Sequence, residues 1–75
     1  MAQRVPLLFR RRLFSGLTQE KLAEQAGIQR QTVVRLERGG EANISTIAAL
    51  ARVLRCKPSQ LMGGDWDEEN SPTDP

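Results

Sequence analysis

Seventy-five residues are enough for one domain with a limited core, so a bound partner would add to a modest intrinsic stability. The chain has no histidine and one cysteine, Cys56, which excludes an internal disulfide and a Cys/His metal centre and suits a reducing cytoplasm. The apolar run Val5 to Phe9 is too short for a signal-peptide core or a membrane span. The net charge of +2 conceals a split. Residues 1–62 hold all 11 basic residues against four acids, a net +7, whereas residues 63–75 hold five acids and no base, −5. A basic domain followed by an acidic segment predicts an anionic partner for the domain, nucleic acid first.

Met1 to Val5 reads as a loose arm with one charge, Arg4. Pro6 suits the first position of a helix, where its missing N–H is tolerated. That helix extends to about Phe14 and ends before Ser15-Gly16. Leu8 and Arg12 share one of its faces, Phe9 and Leu13 a neighbouring one. Arg10, Arg11 and Arg12 form a basic cluster of the kind that contacts phosphate, although Arg10 and Arg11 read equally as solvated charges.

Thr18 caps a second helix by offering its hydroxyl to an unpaired N–H, and Lys21 at the third helical position leaves the capping box incomplete. Leu22 and Ala26 stand four apart on this helix, and Val33 and Leu36 three apart on the next, so each pair lies on one face. Gly27 sits where the chain must reverse over few residues, a place for positive φ, with Ile28 as an apolar plug and Ala23 small where helices cross. The third helix spans Gln29 to Arg38 with Gly39 as its C-cap, and it turns Arg30, Gln31, Val34, Arg35 and Arg38 outward. Two short helices joined by a tight turn, the second bearing arginine and glutamine, make a helix-turn-helix pattern.

Gly40-Glu41-Ala42 reads as a short loop, and Asn43 caps a fourth helix. Ile44, Ile47, Leu50, Ala51 and Leu54 follow helical spacing there, which makes that helix core. Cys56 reads as a small buried hydrophobe, since a redox role requires an exposed thiolate of low pKa. Pro58 opens a fifth helix, Ser59 to Met62, in which Leu61 closes the core and after which Gly63-Gly64 stop it. From Gly63 the chain is acidic and rich in Gly and Pro, which reads as a disordered tail. Trp66 is its one apolar anchor, either incidental or a docking element.

Arg12, Gly16 to Ile28 (GLTQEKLAEQAGI), Leu36 to Gly39 (LERG), Asn43 to Thr46 (NIST), Ala49 to Leu54 (ALARVL) and Ser59 to Met62 (SQLM) resemble one family. It is that of the phage-repressor and Cro-like regulators, also called xenobiotic-response-element-type. The resemblance covers Leu8 to Met62 and implies an all-α, five-helix, lambda-repressor-like bundle acting as a homodimer on double-stranded operator DNA. It implies an ion pair between Arg12 and Glu37. It further implies base contacts from Arg30, Gln31 and Arg35 and a phosphate contact from Gln19; beside these, Gln29 is a candidate contact at the groove edge and Arg38 a candidate phosphate contact. Geometry agrees for the base readers: positions 31 and 35 are four apart, and Arg30 lies in the first turn. Arg10 and Arg11 are further phosphate candidates. Relatives often have proline where Ala42 stands.

Catalysis is excluded on the residues. There is no histidine, no Cys/His metal spacing, no glycine-rich phosphate loop after a strand, and no strand signal. No cofactor or small-molecule effector is expected, because no second domain is there to hold one. The principal reading is a cytoplasmic, sequence-specific DNA-binding regulator, more in keeping with a repressor. Two others stay open. An antitoxin-type module would need a partner-wrapping segment, for which only the stretch around Trp66 is available. A restriction-modification controller protein is similar in length and in its NIST cap.

Overall fold

The computed structural model describes residues 2–63, so the acidic tail expected from 64 onward, with Trp66, lies outside the described residues. Five helices run in order: α1 (Leu8–Ser15), α2 (Gln19–Ala26), α3 (Arg30–Glu37), α4 (Ile44–Leu54) and α5 (Pro58–Met62). The five-helix bundle read from the sequence is therefore present, and a small two-stranded sheet accompanies it. Ala2–Arg4 forms a strand, β1, antiparallel to a second strand, β2 (Glu41–Asn43), in the register Ala2↔Asn43, Gln3↔Ala42, Arg4↔Glu41. Neither the loose arm nor the loop before Asn43 is irregular.

The reason the strands escape detection is physical. AQR and EAN contain no β-branched or aromatic residue, and each strand exists only because the other supplies its ladder. What holds them in place is the burial of one residue beside β1 and one within β2. Val5, just after β1, is 1% exposed, and Ala42, within β2, is 5% exposed. Alanine rather than proline at 42 also keeps an N–H in the strand.

Pro6 is likewise displaced from the expected helix start. Leu8 N–H donates to Val5 O at 3.0 Å, closing a turn with Pro6 at its second position, which the fixed φ of proline favours. Leu7 then becomes the N-cap of α1. α3 starts and ends one residue inside the expected bounds, capped by Gln29 and Arg38. The expected caps at Thr18 and Asn43 are made: Thr18 Oγ1 accepts from Lys21 N–H at 3.0 Å, and Asn43 Oδ1 from Thr46 N–H at 2.9 Å.

One core draws on every helix. Leu8, Leu22, Val33, Leu36, Ile47, Leu50 and Leu61 are each no more than 1% exposed. Each such side chain contributes about 1.5–3 kcal/mol relative to exposure. Ala23 and Ala51 let helices approach closely. Cys56 is half-buried and packs against this core, and burial pushes its thiol pKa up despite the opposing pull of Arg11. A thiol so placed stays protonated at neutral pH and behaves as a small hydrophobe.

Among the described residues, Arg12 is the charged residue buried as a whole. Its Nε donates to Glu37 Oε2 at 2.6 Å, its Nη2 to Glu37 Oε1 at 3.2 Å, and its Nη1 to Leu17 O at 2.9 Å. Both side chains of this bidentate pair are less than a tenth exposed (9% and 7%). The Phe9 ring covers the guanidinium at 5.4 Å. Removing one partner of a pair this dry strands a charge at a cost of about 3–5 kcal/mol. Arg12→Ala and Glu37→Ala should each lower Tm by more than ~10 °C in a domain of this size, and Arg10→Ala by far less. Thermal melts of the three variants decide it, and equal small shifts would refute a stabilising frame.

Arg55 ends α4 in the left-handed region at φ 58°, the one non-glycine residue with positive φ among those described. That conformation costs an L-residue about 1–2 kcal/mol, partly offset by the extra chain entropy glycine loses on folding. Arg55→Gly should therefore raise Tm by a few degrees in the same melts, and a decrease would show that the arginine side chain contributes more than its backbone strain removes.

Candidate nucleic-acid interface

α2 and α3 are joined across Gly27, whose φ of 74° is open to glycine and rarely to other residues. Gly27 N–H donates to Glu24 O at 3.3 Å and Ile28 N–H to Ala23 O at 3.0 Å, so the last carbonyls of α2 are satisfied within the turn. Ile28 packs against the core and fixes the exit direction. Val33 and Leu36 then anchor α3 from beneath.

The outward face of α3 is the consequence. Arg30, Gln31, Arg35 and Arg38 are exposed, Val34 is half-buried, and all five line one open concavity together with Gly39 and Gly40. Three arginines and a glutamine thus surround an apolar floor, with no acid among the lining residues. Arginine pairs with guanine O6 and N7, and glutamine with adenine N6 and N7, so this is a donor-rich surface suited to base edges. Gln29 is exposed at the N-cap of α3, beside that face in sequence but not among the residues that line it.

Arg35 is already oriented. Its Nη1 donates to Glu41 O at 3.0 Å, at the start of β2. The side chain lies over Gly40, where an added Cβ would stand 2.9 Å from Arg35 Cγ and Nη1. Gly40 is therefore required for close approach, a role its sequence position did not disclose.

Gln19 has a partner that sequence reasoning missed. Its Nε2 donates to Glu37 Oε1 at 2.9 Å, so the half-buried amide supports the ion pair from the first position of α2. Only the arrangement of three helices reveals this, and no local signal at Gln19 foreshadows it. Arg10 and Arg11 are not brought to the α3 face. They line a separate concavity with Leu7 and Phe14, on the outer side of α1.

Among the described residues, no group of three His, Cys, Asp or Glu side chains is placed to hold a metal ion, and no helix is long and apolar enough to cross a membrane.

Residues 9–61 match the helix-turn-helix family model. No curated protein matches the chain significantly. Among solved structures, the chain is similar to the restriction-modification controller protein C.AhdI from Aeromonas hydrophila. That likeness has 36% identity and a TM-score of 0.69 and covers 72% of this chain and 83% of that one. It is also similar to the P22 c2 repressor, solved with a synthetic operator, at 28% identity and a TM-score of 0.74, covering 84% of this chain and 98% of that one. A hypothetical transcription factor, NHTF, from Neisseria superposes with a TM-score of 0.72 at 28% identity, covering 84% of this chain and 74% of that one. The turn at Gly27, the buried Arg12–Glu37 pair and the matched span agree: the chain belongs to the Cro/C1-type helix-turn-helix family of DNA-binding transcriptional regulators.

Proposed function

We propose that the chain is a repressor that reads operator DNA by inserting α3 into the major groove. It acts in the cytoplasm, without enzymatic activity, and as a homodimer. The observation that carries this reading is the shared outward face of Arg30, Gln31, Val34, Arg35 and Arg38, which is basic and free of acid. Arg30, Gln31 and Arg35 read base edges, with Gln29 at the rim. Arg38 binds phosphate at the C-terminal end of α3. Gln19 retains a second amide N–H beside the N-terminus of α2, where helix-end N–H groups favour an anion, and so both braces Glu37 and meets phosphate. In this reading the basic residues 1–62 form the DNA-binding domain and the acidic residues 63–75 a C-terminal segment outside the DNA-reading surface.

A single eight-residue helix reads only a few base pairs, and half-sites about 34 Å apart on one face of DNA call for a two-fold dimer. α5 and the neighbouring residues of α4 are the proposed contact. Likeness to C.AhdI at 36% identity favours a narrower version, in which the chain is a restriction-modification controller. That version keeps the same DNA chemistry and changes only the genes served.

Selection of bound sites from random duplex DNA tests the reading. A palindromic logo is expected, and a gel-shift titration giving one stable 1:1 complex on a non-palindromic site would contradict the dimer. Gln31→Ala and Arg35→Ala should relax preference at one or two positions, by about 1–3 kcal/mol of discrimination each. Arg38→Ala should weaken all sequences alike and reduce the salt slope by about one unit. Unchanged logos for both Gln31→Ala and Arg35→Ala would remove α3 as the reading element.

A further inference from the structure

α1 is buried on one side only. Leu8 and Arg12 face the core, while Phe9, Leu13 and Phe14 are 49%, 55% and 90% exposed. Phe14 and Arg10 line two adjoining concavities, one completed by Leu7 and Arg11 and the other by Phe9 and Leu13. This surface is apolar with two arginines set in it. Neither arginine forms an ion pair with a described acid. An apolar helix face flanked by cations fits a segment that combines an aromatic side chain with carboxylates.

Such a segment follows directly in this chain. Leu7 N–H donates to Leu61 O at 3.0 Å, which fastens α5 to the start of α1. Gly63 lies so close to Leu7 that an added Cβ would stand 2.5 Å from Leu7 Cδ1. Gly63, the last described residue, therefore stands at the N-terminal end of the exposed face. Trp66 is three residues beyond Gly63, a reach of about 10 Å, and Leu7 to Phe14 covers about 10 Å of helix. Asp65, Asp67, Glu68 and Glu69 flank Trp66, opposite in sign to Arg10 and Arg11.

We infer that residues 64–69 dock on the outer face of α1 of the same chain, with the Trp66 indole seated among Leu7, Arg10, Arg11 and Phe14. The adjacent carboxylates pair with Arg10 and Arg11. Docking covers the largest exposed aromatic surface of the domain and occupies two arginines that would otherwise be open to any polyanion. The inference is independent of which residues of α3 read DNA.

Trp66 is the sole tryptophan and the chain has no tyrosine, so its fluorescence reports directly. The full chain at low salt should emit at shorter wavelength than a peptide of residues 63–75, with acrylamide quenching reduced severalfold. Phe14→Ser and Arg10→Glu should each return emission and quenching toward the peptide values, and raised salt should do so in part. Phe14 is 90% exposed, so its replacement leaves the helical bundle intact, which far-UV circular dichroism checks. Peptide-like emission in the unaltered chain would overturn the inference, as would a protected Trp66 indifferent to both substitutions. Protection that disappears on dilution would overturn it in favour of a second copy as the occupant.

Discussion

The Glu37 carboxylate is where three helices are joined. α3 provides it, α1 answers with two N–H groups of Arg12, and α2 adds the amide of Gln19. An eight-residue helix does not hold its own shape in water, because nucleation is costly and few hydrogen bonds follow. Packing of Val33 and Leu36 fixes which side of α3 faces inward. A bidentate guanidinium–carboxylate pair further restricts the orientation of α3, since its donors are planar and its distances narrow. Apolar replacements of similar volume can equal such a pair in stability. What the pair contributes here is the orientation of the helix that meets DNA.

The same pair explains how the outward face keeps its sign. α3 contains one acid, Glu37, a single residue before Arg38. Turned outward, that carboxylate would oppose phosphate beside the proposed phosphate contact. Turned inward and neutralised by Arg12, it leaves Arg30, Arg35 and Arg38 as the charges that surround the concavity. A net +7 over residues 1–62 therefore overstates the cations available to DNA. Arg12 is consumed in the frame.

Most of the helical plan was legible because its signals are local. Thr18 and Asn43 announce helix starts through their own hydroxyl and amide, Gly27 marks a reversal, and apolar spacing marks the inner faces. What stayed hidden depends on residues distant in sequence. The strands at Ala2–Arg4 and Glu41–Asn43 have no β-forming composition and exist by pairing with each other. Pro6 is compatible with either a helix start or a turn, and the carbonyl of Val5 decides for the turn. Gln19 and Arg35 were readable as polar surface residues. Their partners, Glu37 and the carbonyl of Glu41, become evident only once the helices are assembled.

α1 shows the limit of amphipathic reading most plainly. The helix LFRRRLFS carries apolar residues at positions that would serve a core on two sides, but only the Leu8–Arg12 side meets one. Hydrophobic letters identify surfaces that gain from being covered, and do not say what covers them. The inner side is closed by the bundle, as the full burial of Leu8 demonstrates. The outer side is different, because Phe9 partly turns over the Arg12 guanidinium while Phe14 projects clear of the bundle. A side chain 90% exposed adds nothing to the core, so selection for packing does not account for an aromatic ring at this position. Its neighbours Arg10 and Arg11 make the same point electrostatically, as cations gathered away from the α3 face. An aromatic ring and two arginines on an uncovered helix face describe a binding surface, and its chemistry is distinct from that of the groove-facing side.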